Sequence, residues 1–138
     1  MKTVAAPVVT AALVLLLAGC GGAPTPTPSF GFGDDAVAIA RAVKSCRAVS
    51  SQTVPSNATG ISSIATCSIT GSQVDFVVWT DAAAQKEQGP VATSAEEIYV
   101  AHGDGWDAVT HDPGRVSAQK IIATSIVGFA GGTVVHVK

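Results

Sequence analysis

The residues most densely placed for chemistry lie between positions 102 and 112. Two histidines and three aspartates occur within these eleven residues, as His102, Asp104, Asp107, His111 and Asp112. Imidazole and carboxylate groups are common zinc ligands, but the spacing here matches neither a zinc motif nor the regular acidic pattern of a calcium loop. We therefore predict a tight turn with a charged cross-strand pair. The alternative is a small hydrolase or metal-binding protein that uses His102, Asp104 and Asp107.

Other motifs of catalysis are weak. No serine stands in a GxSxG pattern, and the two cysteines outside the N-terminal region lack CxxC spacing. Gly131-Gly132 follows a predicted helix instead of opening one, which argues against a phosphate-binding loop. We predict no catalytic residue, no metal site and no cofactor, so the chain is not expected to be an enzyme.

The first twenty residues resemble the export signal of bacterial lipoproteins. A positive Lys2 precedes an apolar run over 8–17, which is too short for a membrane-spanning helix but suits a signal-peptide core. Leu17-Ala18-Gly19-Cys20 then resembles a lipobox. The resemblance implies that the Cys20 thiol receives a diacylglycerol and that cleavage makes Cys20 the new N-terminus.

This resemblance implies three regions: a lipoprotein signal peptide over 1–19, a lipidated cysteine with a Pro/Thr/Gly-rich tether over 20–33, and a small domain over 34–138. Two acyl chains would hold the protein firmly on the extracytoplasmic face of the cell membrane. The Pro-Thr repeat favours an extended, semi-rigid spacer. Phe30 and Phe32 are unusual in such a spacer, and either dock on the domain or dip into the lipid headgroups.

Composition restricts the partners. Loss of Lys2 with the signal leaves seven Lys and Arg against ten Asp and Glu, a net charge near −3 that is spread without runs. Nucleic acid is therefore an unsuitable partner, since its binding requires clustered basic residues.

If Cys20 carries lipid, Cys46 and Cys67 remain as a pair. Export into an oxidising compartment favours disulfide formation. We predict a bridge that pins the first helix to the first strand and adds about 3 kcal/mol in the chain-entropy model.

The elements that must position these residues follow from periodicity and turn signals. We expect helices over 35–49 and 82–88, the second capped by Asp81, and a third that starts at Asp112-Pro113 and ends at Gly131-Gly132. Residues 50–60 read as a loop. The fold class is α+β, in the order α-β-β-α-β-β-α with or without a terminal strand over 133–137. We expect a four-stranded antiparallel sheet with the helices packed on one face.

Two hairpins supply the strands of this sheet. A turn at Gly71-Ser72 would pair Cys67 with Phe76, and a turn at Asp104-Gly105 would pair His102 with Asp107. Val77 and Trp79 lie on the face opposite Phe76. If that face is uncovered, they form an apolar binding surface, and if the short helix or the tail covers it, they belong to the core.

From residue 35 onward the chain is similar to small secreted lipoproteins of actinobacteria, of uncharacterised function. The matching features are Cys46, Cys67, Gly103-Asp104-Gly105-Trp106 and Gly131-Gly132. The resemblance supports the fold and the envelope location. We expect a non-enzymatic binding module that contacts an envelope protein or another envelope component. Besides the hydrolase or metal-binding alternative, an inhibitor of an envelope enzyme or of phage entry remains open.

Overall fold

The computed structural model describes residues 27–112 and 115–138. The predicted α+β class is confirmed, but the sheet has six strands instead of four. The elements in chain order are α1 (Ala36–Ala42), β1 (Arg47–Gln52), β2 (Ile61–Ile69), β3 (Ser72–Trp79), α2 (Ala82–Gln88), α3 (Pro90–Thr93), β4 (Ile98–Gly103), β5 (Trp106–His111), α4 (Val116–Ala130) and β6 (Thr133–Val137).

The sheet is antiparallel throughout, with strand order β1-β2-β3-β5-β4-β6. The two additional strands, β1 and β6, are its edges. Residues 133–137 do form the terminal strand, paired with β4. Each edge strand extends a predicted hairpin, so the four predicted strands are the centre of the sheet.

The predicted helix over 35–49 is too long, because α1 ends at Ala42 and β1 begins at Arg47. The polar residues of β1, which we expected in a loop, pair through their side chains: the Ser50 and Thr66 hydroxyls lie 2.9 Å apart and Gln52 Nε2 donates to both. An edge strand held by polar cross-strand contacts lacks the hydrophobic alternation that reveals a half-buried strand.

The β2–β3 hairpin turns at Thr70-Gly71, so the predicted Gly71-Ser72 turn and its register were wrong. Both turn residues have positive φ, 51° and 87°, as a type I′ turn requires. Cys67 therefore pairs with Val74 instead of Phe76. This shift of two residues leaves every side chain on its predicted face, because the strand period is two.

The β4–β5 hairpin has the predicted register, with His102 opposite Asp107 and Val100 opposite Val109. The helix that follows starts later than predicted: the N-cap of α4 is Arg115, and the expected cap at Asp112 lies outside the helix. Pro113, the expected first helical residue, is outside the described residues. The Asp112 carbonyl instead accepts hydrogen bonds from the Arg115 amide and the Gln119 side chain.

The helices lie on both faces of the sheet, which corrects the prediction of one helical face. One face, which carries Phe76 and Trp106, packs with α1 and α4 into the main hydrophobic core. The opposite face carries Trp79 and Asp107, and α2 covers it through Gln85. Phe30, from the predicted tether, packs partly buried against the main core.

The predicted helix over 82–88 is confirmed, as is its cap. Asp81 Oδ1 accepts from the Ala84 amide at 2.9 Å. Hydrogen bonds from Ala84, Thr80 and Ala83 lower the pKa of Asp81 below its ordinary value of 3.8. Within the described ranges, no helix has both the length and the apolar character needed to cross a membrane.

Candidate functional site

The predicted disulfide is present. Cys46 and Cys67 are joined, with their Cα atoms 5.5 Å apart. Cys46 follows the end of α1 and Cys67 lies on the core face of β2, so the bridge fastens the segment between α1 and β1 to the sheet. Cys20, the predicted lipidation residue, lies outside the described residues.

A buried carboxylate is the centre of the polar network at the turn end of β4 and β5. Asp107 is 1% exposed. Its Oδ2 accepts a hydrogen bond from Trp79 Nε1 at 2.8 Å and a longer one from Gln85 Nε2 at 3.3 Å, and its Oδ1 lies 2.6 Å from His102 Nδ1. The carboxylate is thus bonded on both oxygens, as a buried acidic group must be to offset its desolvation.

Gln85 connects this network to the backbone of the hairpin. Its Nε2 also donates to the carbonyls of Gly103 and Trp106, and its Oε1 accepts from the Gly105 amide at 3.1 Å. One buried amide side chain on α2 therefore bonds both strands and the turn between them. The network fixes α2 on the hairpin as well as fixing Asp107.

The arrangement has one chemical possibility. A carboxylate on Nδ1 holds an imidazole in the tautomer that leaves Nε2 free to accept a proton or bind a metal. The His102 side chain is 38% exposed, so its ring reaches solvent. His102 and Asp107 therefore form an oriented pair, which is the smallest arrangement that could act as a general base.

The remaining members of the predicted cluster lie elsewhere. Asp104 is exposed at the turn. His111 lies at the other end of β5, where its Nε2 is 2.7 Å from Asp75 Oδ2, and Asp112 accepts from the Ser72 hydroxyl. In the part of the chain that the structure describes, no three His, Cys, Asp or Glu side chains converge as a metal site would need.

A groove lies beside α3. It consists of two adjoining depressions of about 350 and 250 Å³ that share Pro90, Thr93, Val109 and His111. We call this the α3 groove. Val77, predicted for a binding surface, is half-buried and lines the smaller depression. Trp79 also lines it but is only 3% exposed, so its indole belongs to the interior.

The α3 groove has an apolar floor and an acidic margin. Val109 lies between the two depressions, Ile98 lines the larger one, and the carboxylates of Asp75, Glu96 and Asp112 lie along them. Among the described residues that line the two depressions there is no lysine or arginine. The groove therefore favours a ligand that has both apolar and cationic groups.

An SxxK pattern, Ser117-Ala118-Gln119-Lys120, lies in the first turns of α4. Ser117 and Lys120 are both exposed. The Lys120 ammonium lies 5.8 Å from the centroid of the Tyr99 ring, which itself stacks on His136 at 4.2 Å. Lys120 is thus placed for a cation–π contact with Tyr99.

Sequence reasoning missed Gln85, Glu96 and the role of Trp79 as a donor. A buried tryptophan usually requires a partner for its N–H, and Gln85 is the one polar residue on the buried side of an Ala-rich helix. These two signals were available in the sequence, but neither indicates a groove.

Searches against protein-family models, curated proteins and solved structures found no match.

Proposed function

We propose that this chain is a lipid-anchored lipoprotein of the extracytoplasmic membrane face, and that its domain is a non-enzymatic binding module. The α3 groove is its binding surface, and a basic, partly apolar peptide segment of an envelope protein is its ligand. The lipobox Leu17-Ala18-Gly19-Cys20 supports the anchor. The Cys46–Cys67 disulfide supports export, because such bridges persist in oxidising compartments.

The observation that carries the binding function is the charge pattern of the α3 groove. Three acidic residues border an apolar floor, and the lining residues that the structure describes include no lysine or arginine to neutralise them. His111 contacts Asp75, but Glu96 is exposed, and the described partner of the Asp112 carboxylate is the neutral Ser72 hydroxyl. A ligand with lysine or arginine side chains would complement this margin, and its apolar side chains would cover Val109 and Ile98.

Peptide titration of the mature domain tests the binding function. The probes are a hexapeptide of alternating Lys and Val and its counterpart with Glu in place of Lys. We expect amide shifts in NMR spectra at 93–98 and 109–112 with the basic peptide only. Glu96→Lys should abolish these shifts, whereas Glu87→Lys, which changes an exposed acid on α2 that lines neither depression, should preserve them.

Two results would contradict this binding function. Equal shifts from the acidic peptide would show that charge does not select the ligand. Loss of the shifts in Glu87→Lys as well as Glu96→Lys would show that net charge, and not the groove, attracts the peptide. The anchor is tested separately by the mass of the mature protein, which should include a diacylglycerol that Cys20→Ala removes.

A second candidate function rests on His102. Asp107 on its Nδ1 and the exposure of its ring suit a general base or a metal ligand. Calorimetric titration of the domain with Zn²⁺ tests this: tight binding that is lost in His102→Ala would favour it over the binding module, and absence of heat would refute metal binding.

A further inference from the structure

The end of the predicted tether is fastened to the domain before α1 begins. Phe30 packs against the main core, the Gly33 amide donates to the Trp79 carbonyl at 3.0 Å, and the Gly31 amide donates to Asp34 Oδ2 at 2.7 Å. The backbone of Gly31 and Phe32 lies so close to Gly105 that a Cβ at Gly105 would overlap it. Residues 27–33 are therefore part of the domain instead of a free spacer.

The fastened segment enters the domain at one defined end. Thr27, Pro28 and Phe30 share a depression with Asp104 in the β4–β5 turn and with Gly131 at the end of α4. The strand β6 also starts at this end, with Thr133 opposite His102. The chain that comes from Cys20 thus meets the domain at the turn end of the β4–β5 hairpin.

The α3 groove extends to the opposite end of the same hairpin. Its larger depression is lined by Thr110, His111 and Asp112, at the far end of β5. His111 is five residue steps along the strand from Trp106, which at about 3.4 Å per step is about 17 Å. The larger depression of the groove therefore lies farther than the β4–β5 turn from the point where the tether enters the domain.

The stretch of sequence between Cys20 and the fastened segment is short. Thr27 is seven residue steps from Cys20, and a fully extended chain of seven steps spans at most about 25 Å. Thr27 must therefore lie within about 25 Å of Cys20, whereas the far end of the hairpin lies about 17 Å beyond the entry point. From the fixed entry point we infer that the anchored domain stands, on average, with the β4–β5 turn nearer the bilayer and with the larger depression of the α3 groove farther from it. Its partner is then a segment that approaches from the aqueous side. This inference rests on the proposed lipid anchor.

Site-selective fluorescence quenching tests the orientation. Asp104→Cys and Ala95→Cys place single reactive thiols in exposed positions, one in the turn and one beside Glu96. The lipidated proteins, labelled with a small fluorophore, are reconstituted into phosphatidylcholine vesicles that contain headgroup spin-labelled lipid. We expect quenching at least about twofold stronger at position 104, because about 17 Å separates the two ends of the hairpin.

Insertion of Pro-Thr-Pro-Thr-Pro-Thr between Gly22 and Ala23 is the matched control. It nearly doubles the number of residues between Cys20 and Thr27 without altering a described residue, so the ratio of quenching at the two positions should fall toward one. Equal quenching in the parent tether, or stronger quenching at position 95, would overturn the orientation. A protein whose mass shows no lipid on Cys20 refutes the proposed anchor instead, and is recognised before reconstitution.

Discussion

Replacement of Asp107 should be the most informative perturbation of the polar network. Asp107→Ala leaves the Trp79 indole N–H buried without its acceptor, which costs about 1–3 kcal/mol, and removes a hydrogen bond from His102. Water can partly replace the latter bond, since His102 is partly exposed. Removal of the carboxylate also relieves its own desolvation. We expect a net loss of about 2 kcal/mol in the free energy of unfolding.

Asp75→Ala is the matched control. It removes the carboxylate of a second His–Asp pair, which has nearly the same separation, 2.7 Å against 2.6 Å, but lies on the surface. Surface ion pairs contribute about 0–1 kcal/mol, so the control should lose less than about 1 kcal/mol. The comparison of the two variants therefore separates the effect of burying the carboxylate from the effect of the His–Asp contact.

Asp107→Asn should be intermediate, at about 1 kcal/mol, because its amide can satisfy both neighbours. The asparagine Oδ1 can accept from Trp79 while its Nδ2 donates to His102 Nδ1, which forces the other histidine tautomer. The 15N chemical shifts of the His102 imidazole should report that change of tautomer. If Asp107 contributed only packing, Asp107→Asn would leave these shifts unchanged.

Urea unfolding of the oxidised domain at pH 7, followed by tryptophan fluorescence, measures all three variants. The slopes of the transitions should agree, so that the midpoints report stability. If Asp107→Ala loses no more stability than Asp75→Ala, the network does not hold α2 on the hairpin and the reasoning fails.

Three further predictions concern the bridge, the cap and the fastened tether. Reduction of the Cys46–Cys67 disulfide should lower the free energy of unfolding by about 3 kcal/mol, measured by urea titration with and without reductant; an unchanged midpoint would contradict this. Because folding lowers the pKa of Asp81, its contribution is present above the unfolded value and is lost as the pH falls through the folded one. The stability difference between the parent and Asp81→Asn should therefore shrink below about pH 4, and a constant difference would argue against it. Gly105→Ala should release residues 27–33 and make the chain before Asp34 sensitive to limited proteolysis, whereas Gly128→Ala, with open space around it, should not.

Local signals were sufficient for three parts of the fold. The cap of α2, the β4–β5 turn and the disulfide each follow from a few residues: Asp81, Asp104-Gly105, and Cys46 with Cys67. A cap or a tight turn is decided by backbone geometry within about four residues. The His102–Asp107 pair was predictable for the same reason, since the turn sets the register.

The β2–β3 register was not decided by such signals. Its two-residue shift keeps all side chains on their faces, so hydrophobic alternation cannot distinguish the two pairings. The choice depends on Thr70 adopting a positive φ, which is unusual for a β-branched residue. The Thr70 hydroxyl donates to the Ile69 carbonyl at 2.8 Å in the observed turn.

The candidate site depends on which face of the sheet α2 covers. Hydrophobic periodicity does not specify that face. With all helices on the Phe76 face, Trp79 and Val77 would form an open apolar surface. Because α2 lies on the face of Val77 and Trp79, Gln85 contacts Asp107 and the buried Trp79 indole donates a hydrogen bond to the same carboxylate. The helix α3, which follows α2, then lies beside Val109. The proposed binding surface is therefore a groove beside α3, with an acidic margin that no single strand or helix of the sequence displays.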